Sequence, residues 1–230
     1  MRLPFAAEEN ALSRALAARR EAYIDLTLAN PTVAGLPYDE ERILRALSRP
    51  EALRYQPHPR GLPAAREAVA DYYGGRVDAE HIVLTASTSE AYSLLFKLLC
   101  DPGDEVLAPE PSYPLFGYLT ALESVRLTPY ALRWDGEWRL DPALLQVGER
   151  TRAVLVVSPG NPTGAYLKEE ELAALTRCPL ICDEVFADFP AAPDPRRART
   201  AGYEGTLTFT LSGLSKVAGL PQLKLAWCAV

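Results

Sequence analysis

Histidine and cysteine are scarce in this chain: two histidines, His58 and His81, and four cysteines, Cys100, Cys178, Cys182 and Cys228, in 230 residues. So few histidines argue against a serine–histidine–aspartate hydrolase. Cys178 and Cys182 are spaced like half a metal site, but neither histidine is near them in sequence, which argues against zinc. The cysteines sit singly in apolar surroundings and are expected to be buried reduced thiols of a cytoplasmic protein. Basic charge is short too, with 24 Lys and Arg against 30 Asp and Glu for a net charge of −6. No basic stripe stands out, which argues against a nucleic-acid partner. The patch Arg196, Arg197, Arg199 is expected to be a solvated loop. No apolar run approaches the roughly 18 residues of a membrane span. Met1 to Arg20 mixes alanine with charges and lacks the apolar centre of a signal peptide. There is no Walker loop, and no G-x-G-x-x-G follows any predicted strand, which counts against a dinucleotide fold.

What remains is an ordinary soluble composition, 48% hydrophobic and 23% charged, in a chain long enough for a sizeable core. Helical spacing covers residues 5–22, Ile24 to Leu28 is extended, and Glu40 to Ser48 predicts a helix stopped by Pro50. A polar loop, Tyr55 to Gly61, precedes a helix from Pro63 to Tyr73, with proline at its first position and Gly74-Gly75 after its end. A repeating unit follows. Strands are predicted at His81–Thr85, Glu105–Ala108, Val125–Tyr130, Ala153–Val157, Leu180–Cys182, Leu207–Leu211 and Leu223–Val230. Helices lie between them at Glu90–Cys100, Pro114–Leu122, Leu140–Leu145 (weakly) and Lys168–Arg177. Short apolar strands alternating with helices imply an α/β fold, a seven-stranded mostly parallel sheet with helices on both faces. Ligands of such sheets bind at the C-terminal ends of the strands.

Four loops and one lysine at those ends carry chemistry. Thr85 to Ala91, with Ser87, Thr88 and Ser89, puts hydroxyls and free N–H groups at a helix start, which suits a phosphate; a plain Ser/Thr cap explains the same residues. In Pro109 to Pro114, two prolines fix Tyr113 where its ring could stack on a planar group, or simply pack. Ser158 to Gly164 offers the amide of Asn161, although turn composition alone accounts for the residue types. Asp183 ends a buried strand and is followed by Glu184, and a carboxylate there is expensive without a cationic partner. Lys216 lies 33 residues later, after a run that breaks at Ser212-Gly213. Alone it reads as a lysine reaching water. With the four loops it completes the set a pyridoxal phosphate site needs: a lysine amine, an acid for the ring nitrogen, and groups for ring and phosphate.

At these residues the sequence resembles the class I/II aminotransferases, the fold-type I family of pyridoxal phosphate enzymes. Asn161-Pro162-Thr163-Gly164, Asp183-Glu184 and Ser212-Gly213-Leu214-Ser215-Lys216 occur in the family's order, and the likeness covers essentially the whole chain. The resemblance implies an amino-group transfer from an amino acid to a 2-oxo acid, with pyridoxal 5'-phosphate as cofactor. It makes Lys216 the Schiff-base lysine and proton shuttle, and Asp183 the partner of the pyridine nitrogen. Asn161 would bond the phenolic oxygen and Tyr113 would stack on the ring. Ser87, Thr88 and Ser89 would hold the phosphate together with Lys224, which stands where an arginine is common. Tyr55 would reach the phosphate of the other subunit of a homodimer. Asn30 to Gly35 would pass over bound substrate.

Some positions depart from the family pattern. Phe186 stands where many members have a tyrosine that donates to the phenolic oxygen. Lys224 keeps the charge of an arginine without its bidentate fork. Thr88 replaces a common glycine, and Gly213 a common phosphate-binding serine. Complete members continue into a small C-terminal domain, whereas this chain stops at Val230. The expectation is therefore an N-terminal arm with part of the small-domain region over 1–50 and a cofactor-binding large domain over 51–230, with the C-terminal small domain absent. A pyridoxal phosphate-dependent β-lyase or decarboxylase, or a cofactor-binding but inactive remnant, remain as alternatives.

Overall fold

A computed structural model of the chain describes residues 11–24, 30–190 and 192–230. Residue contacts divide the chain into two units, Met1–Arg49 and Pro50–Val230. In the first unit, helix α1 spans Ala11–Ala18 and helix α2 spans Glu40–Leu47. Asp39 caps α2 by accepting from the Arg42 N–H at 3.0 Å, and Glu40 and Glu41 place negative charge on its first turn, where the helix dipole favours it. Asn30 closes the turn before α2, its Oδ1 accepting from the N–H and hydroxyl of Thr32. Residues 25–28 of the predicted extended segment, and residues 5–10 of the first predicted helix, lie outside the described residues.

The second unit is built on a seven-stranded sheet. Its strands are β1 (Ile82–Thr85), β2 (Glu105–Glu110), β3 (Arg126–Ala131), β6 (Thr151–Val157), β7 (Leu180–Asp183), β8 (Thr208–Gly213) and β9 (Ala226–Ala229). Two further strands, β4 (Arg133–Trp134) and β5 (Trp138–Arg139), form a separate hairpin. The order across the large sheet is β1-β9-β8-β7-β6-β2-β3. Every pairing is parallel except those of β9, which runs against both β1 and β8.

Helices α3 (Pro63–Tyr72), α4 (Thr88–Leu99), α5 (Phe116–Leu122), α6 (Glu169–Ala174) and the single turn α7 (Leu214–Val217) complete the unit. Pro63 occupies the first turn of α3, and Gly74 and Gly75 leave it at φ 65° and 73°, a region glycine enters at little cost. The sheet buries apolar residues on both faces. On one, Val106, Ala108, Leu155, Ile181, Phe209 and Leu211 meet Tyr92, Leu95, Phe96 and Phe116 of α4 and α5. On the other, Leu107, Val154, Val156, Leu180 and Cys182 meet Leu172 of α6 and its surroundings. Strands buried on both sides read as continuous apolar runs because neither face meets water.

Several expectations are corrected. The weak helix at Leu140–Leu145 is a 3-10 turn over Pro142–Leu144, held by Asp141 accepting from Ala143 N–H. Helix α6 stops at Ala174, three residues short of the predicted end at Arg177. The last predicted strand starts only at Ala226, since Pro221–Leu223 form a 3-10 turn. Strand β8 does not break at Ser212-Gly213: Ser212 pairs with Trp227 and Gly213 with Ala226. The arginine patch is not simply solvated. Arg196 pairs with Asp194 and Glu137, and Arg197 lies over the Tyr166 ring and donates to Ala187 O. Cys178, Cys182 and Cys228 are buried and Cys100 is half-buried; all four are unpaired. Among the described residues, no helix is long and apolar enough to cross a membrane.

Candidate active site

Strands β1, β2, β6, β7 and β8 all point the same way, so their C-terminal ends form one edge of the sheet. Strand β9 runs the other way and begins at that edge. Ser87 after β1, Tyr113 after β2, Asn161 after β6, Asp183 at the end of β7, Lys216 just after β8 and Lys224 just before β9 therefore share it. Six predicted side chains from distant parts of the sequence are thus brought to one border by topology. Tyr55 belongs to the same unit and is almost fully exposed. Asn30 and Gly35 belong to the first unit and are exposed.

Asp183 is a buried acid of this edge, at 7% exposure. In register it lies beside Val157 of β6 and Leu211 of β8, on the face covered by α4. Its Oδ1 accepts the Val185 N–H at 3.1 Å and its Oδ2 accepts the Tyr92 hydroxyl at 2.8 Å. Burial raises its proton affinity; the Val185 N–H, the Tyr92 hydroxyl and the charge of Lys216 pull the other way. Tyr92 was not among the residues singled out in the sequence. In α4 it looks like one more apolar position, and its partner lies 91 residues away. Burial, followed by the charge of Asp183, drives the Tyr92 phenol far above its ordinary value, so it stays a donor.

Glu184 faces away from Asp183. Its Oε1 accepts from the Thr200 hydroxyl at 2.7 Å and the Thr200 N–H at 3.2 Å, and Thr200 in turn shares a 2.9 Å hydrogen bond with Thr210. Glu184 follows the last residue of β7, and the different partners of the two acids put them in different surroundings. Burial raises the proton affinity of Glu184 as well.

Lys216 sits on α7, between β8 and β9, with its ammonium 5.4 Å from the centroid of the Phe186 ring. The Leu214 N–H donates to Leu225 O at 3.0 Å, which ties the start of α7 to the segment bearing Lys224. Lys224 is exposed, with φ 51°. Helix α7, a single turn over Leu214–Val217, is too short to leave a periodic signature in the sequence.

Ser87 is the N-cap of α4, and its Oγ accepts the Glu90 N–H at 3.1 Å. Glu90 reaches back to the Ala86 N–H at 2.6 Å. The plain capping role of Ser87 is thus realised, while Thr88 and Ser89 form the first turn of the helix. Tyr113 is half-buried and set edge-on to Phe116, with centroids 5.5 Å apart at 82°; Phe116 meets Tyr92 in the same way at 5.2 Å. Gly213, extended at φ 177°, has no room for a side chain. A Cβ there would lie 2.8 Å from Ala226 Cβ and 2.9 Å from Leu225 O.

The family model "Aminotransferase class I and II" matches residues 23–230. The chain is similar to the alanine aminotransferase of Mycobacterium bovis, 31% identical over 235 residues, covering 93% of this chain and 54% of that protein. It is also similar to the tyrosine aminotransferase of Homo sapiens, 27% identical over 222 residues, covering 90% and 49%. Among solved structures it matches the alanine aminotransferase from Pyrococcus furiosus with a TM-score of 0.78 and 26% identity, covering 94% of this chain and 58% of that one. The chain spans about half the length of the curated relatives it matches. With the family's model running through every strand of the sheet, this chain belongs to the class I and II aminotransferases.

Proposed function

We propose that the unit Pro50–Val230 binds pyridoxal 5'-phosphate, and that the protein uses it to move an amino group from an amino acid to a 2-oxo acid. The observation that carries this reading is the placement of a buried acid, Asp183, at the end of β7 and of Lys216 just after the adjacent strand β8. The residues present suit the cofactor. A carboxylate at 7% exposure needs cationic company, and a protonated pyridine nitrogen supplies it. The phosphate would fall to the N-terminus of α4 at Ser87, Thr88 and Ser89, with Lys224 adding positive charge. Tyr113 would face the ring and Asn161 would donate to its phenolic oxygen, while Phe186 offers an apolar wall and no hydrogen bond.

When bound, the cofactor supplies an aldehyde and a ring that accepts electrons. Lys216 supplies the primary amine that holds the aldehyde, and the same amine moves a proton at the amino acid's Cα. Asp183, kept as an acceptor by Val185 and Tyr92, holds the ring nitrogen protonated. Following the resemblance, we read Asn30 to Gly35 as the segment that passes over bound substrate. The protein is read as a homodimer in which Tyr55 reaches the partner's phosphate. The unpaired cysteines support a cytoplasmic location. The names of the relatives point to alanine, glutamate, pyruvate and tyrosine as first substrates to try.

The test is borohydride reduction in the presence of pyridoxal phosphate, followed by peptide mass analysis. The cofactor's mass is expected on Lys216 and is expected to be lost in Lys216→Ala. No adduct, or an adduct on other lysines alone, would sink the reading. Release of ammonia and pyruvate without need of an amino acceptor would replace the transferase by a lyase.

A further inference from the structure

We infer that Tyr92 is the positioning residue that keeps Asp183 ionised and fixes the plane of its carboxylate for the ring nitrogen it would hold. The inference rests on the cofactor reading above for its consequence, and on the hydrogen bond itself for its substance. Asp183 holds two donors from two elements: the Val185 N–H on Oδ1, from its own chain segment, and the Tyr92 hydroxyl on Oδ2, from α4. Two donors on two oxygens fix a carboxylate against rotation, whereas one leaves it free to swing. Tyr92 is itself immobilised. It is 1% exposed, edge-on to Phe116 at 5.2 Å and tilted against Phe96 at 6.0 Å.

The charged and titratable groups around the pair are few. Lys216 acts on Asp183 from α7. Tyr113, from the loop after β2, and Cys182, from β7, act on Tyr92, while Glu184 is turned to the other face and bonded to Thr200. Besides the backbone N–H, Tyr92 is therefore the one uncharged side-chain donor on this acid among the described residues. A hydrogen bond to the charged form favours that form. Removing the hydroxyl alone should shift Asp183 towards its protonated state, in which it no longer attracts a protonated ring nitrogen.

The variant is Tyr92→Phe, which keeps the ring and its packing. On the cofactor-free full chain, infrared difference spectra across pH follow the carboxyl C=O band of Asp183, assigned by its loss in Asp183→Asn. The protonation midpoint is expected to rise by about one pH unit, a tenfold change in proton affinity, the size of a hydrogen bond to a charged group. Titration with pyridoxal phosphate should show roughly tenfold weaker binding than wild type. An unmoved midpoint overturns the inference, even if Tyr92→Phe is less stable, because Tyr92 is then a packing residue. A moved midpoint with unchanged cofactor affinity overturns its role toward the cofactor. If wild type takes up no pyridoxal phosphate while the midpoint still moves in Tyr92→Phe, the cofactor reading falls and the role toward Asp183 stands.

Discussion

Asp183 and Glu184 are neighbours in sequence, equally buried and oppositely directed, and their difference is one of partners. Asp183 meets donors from two elements, Val185 N–H and the Tyr92 hydroxyl, with Lys216 nearby, while both donors on Glu184 come from Thr200, with the charge of Arg197 nearby. For Glu184, burial raises the folded-state proton affinity above the ordinary glutamate value of 4.5. The folded state then binds more protons than the unfolded state above that pH, so this residue's contribution to stability falls as pH rises from about 4.5 through its raised folded value. Glu184→Gln keeps an oxygen for both Thr200 donors and removes the ionisation. Thermal melts from pH 4.5 to 8 should show wild type losing ground to Glu184→Gln as pH rises, with the variant at least as stable at pH 8. A difference that is flat with pH would show that Glu184 is ionised in the folded chain without penalty. The sequence made Asp183 legible because an acid ending an apolar strand is chemically conspicuous. Tyr92 was not legible, because an aromatic at helical spacing signals only burial, and the hydrogen bond depends on how α4 lies across β7.

At the scale of elements, the closing pair β8 and β9 positions both lysines, and Gly213 sets how closely those strands approach. Its φ of 177° is open to any residue, so the requirement for glycine is one of space. A Cβ would meet Ala226 and the Leu225 carbonyl at under 3 Å. The departure noted in the sequence, glycine where a serine is common in the family, thus has a physical reason in this chain. Gly213→Ser should destabilise by about 1–3 kcal/mol through overpacking, measured by denaturant titration. A variant of unchanged stability would mean that β9 can yield without loss. The α/β alternation was legible because apolar runs of four to seven residues separated by helical spacing leave few other folds. The hairpin of β4 and β5 escaped because each strand has two residues. Its signal was nevertheless present as Trp134-Asp135-Gly136-Glu137-Trp138, with Asp-Gly between two tryptophans whose rings meet at 5.5 Å.

For the molecule as a whole, a ligand that binds only the folded chain adds stability by mass action, whatever the reaction that follows. At a concentration one hundred times its dissociation constant, pyridoxal phosphate should contribute about 2.7 kcal/mol, raising the melting temperature of a chain of this size by roughly 5–10 °C. The proposed site divides that gain among parts that can be removed one at a time. Pyridoxal lacks the phosphate and loses whatever the N-terminus of α4 and Lys224 provide, so at equal concentration it should raise the melting temperature less. Inorganic phosphate alone should give a smaller rise, diminished in Lys224→Ala. Thermal scans with the three ligands, read against wild type and Lys224→Ala, check the arrangement without any assay of turnover. Equal shifts from pyridoxal and pyridoxal phosphate would remove the phosphate from the α4 terminus. A shift from pyridoxal phosphate that survives Lys216→Ala at reduced size is expected, because the ring and phosphate contacts proposed for Asp183, Tyr113 and Ser87 would not need the lysine amine.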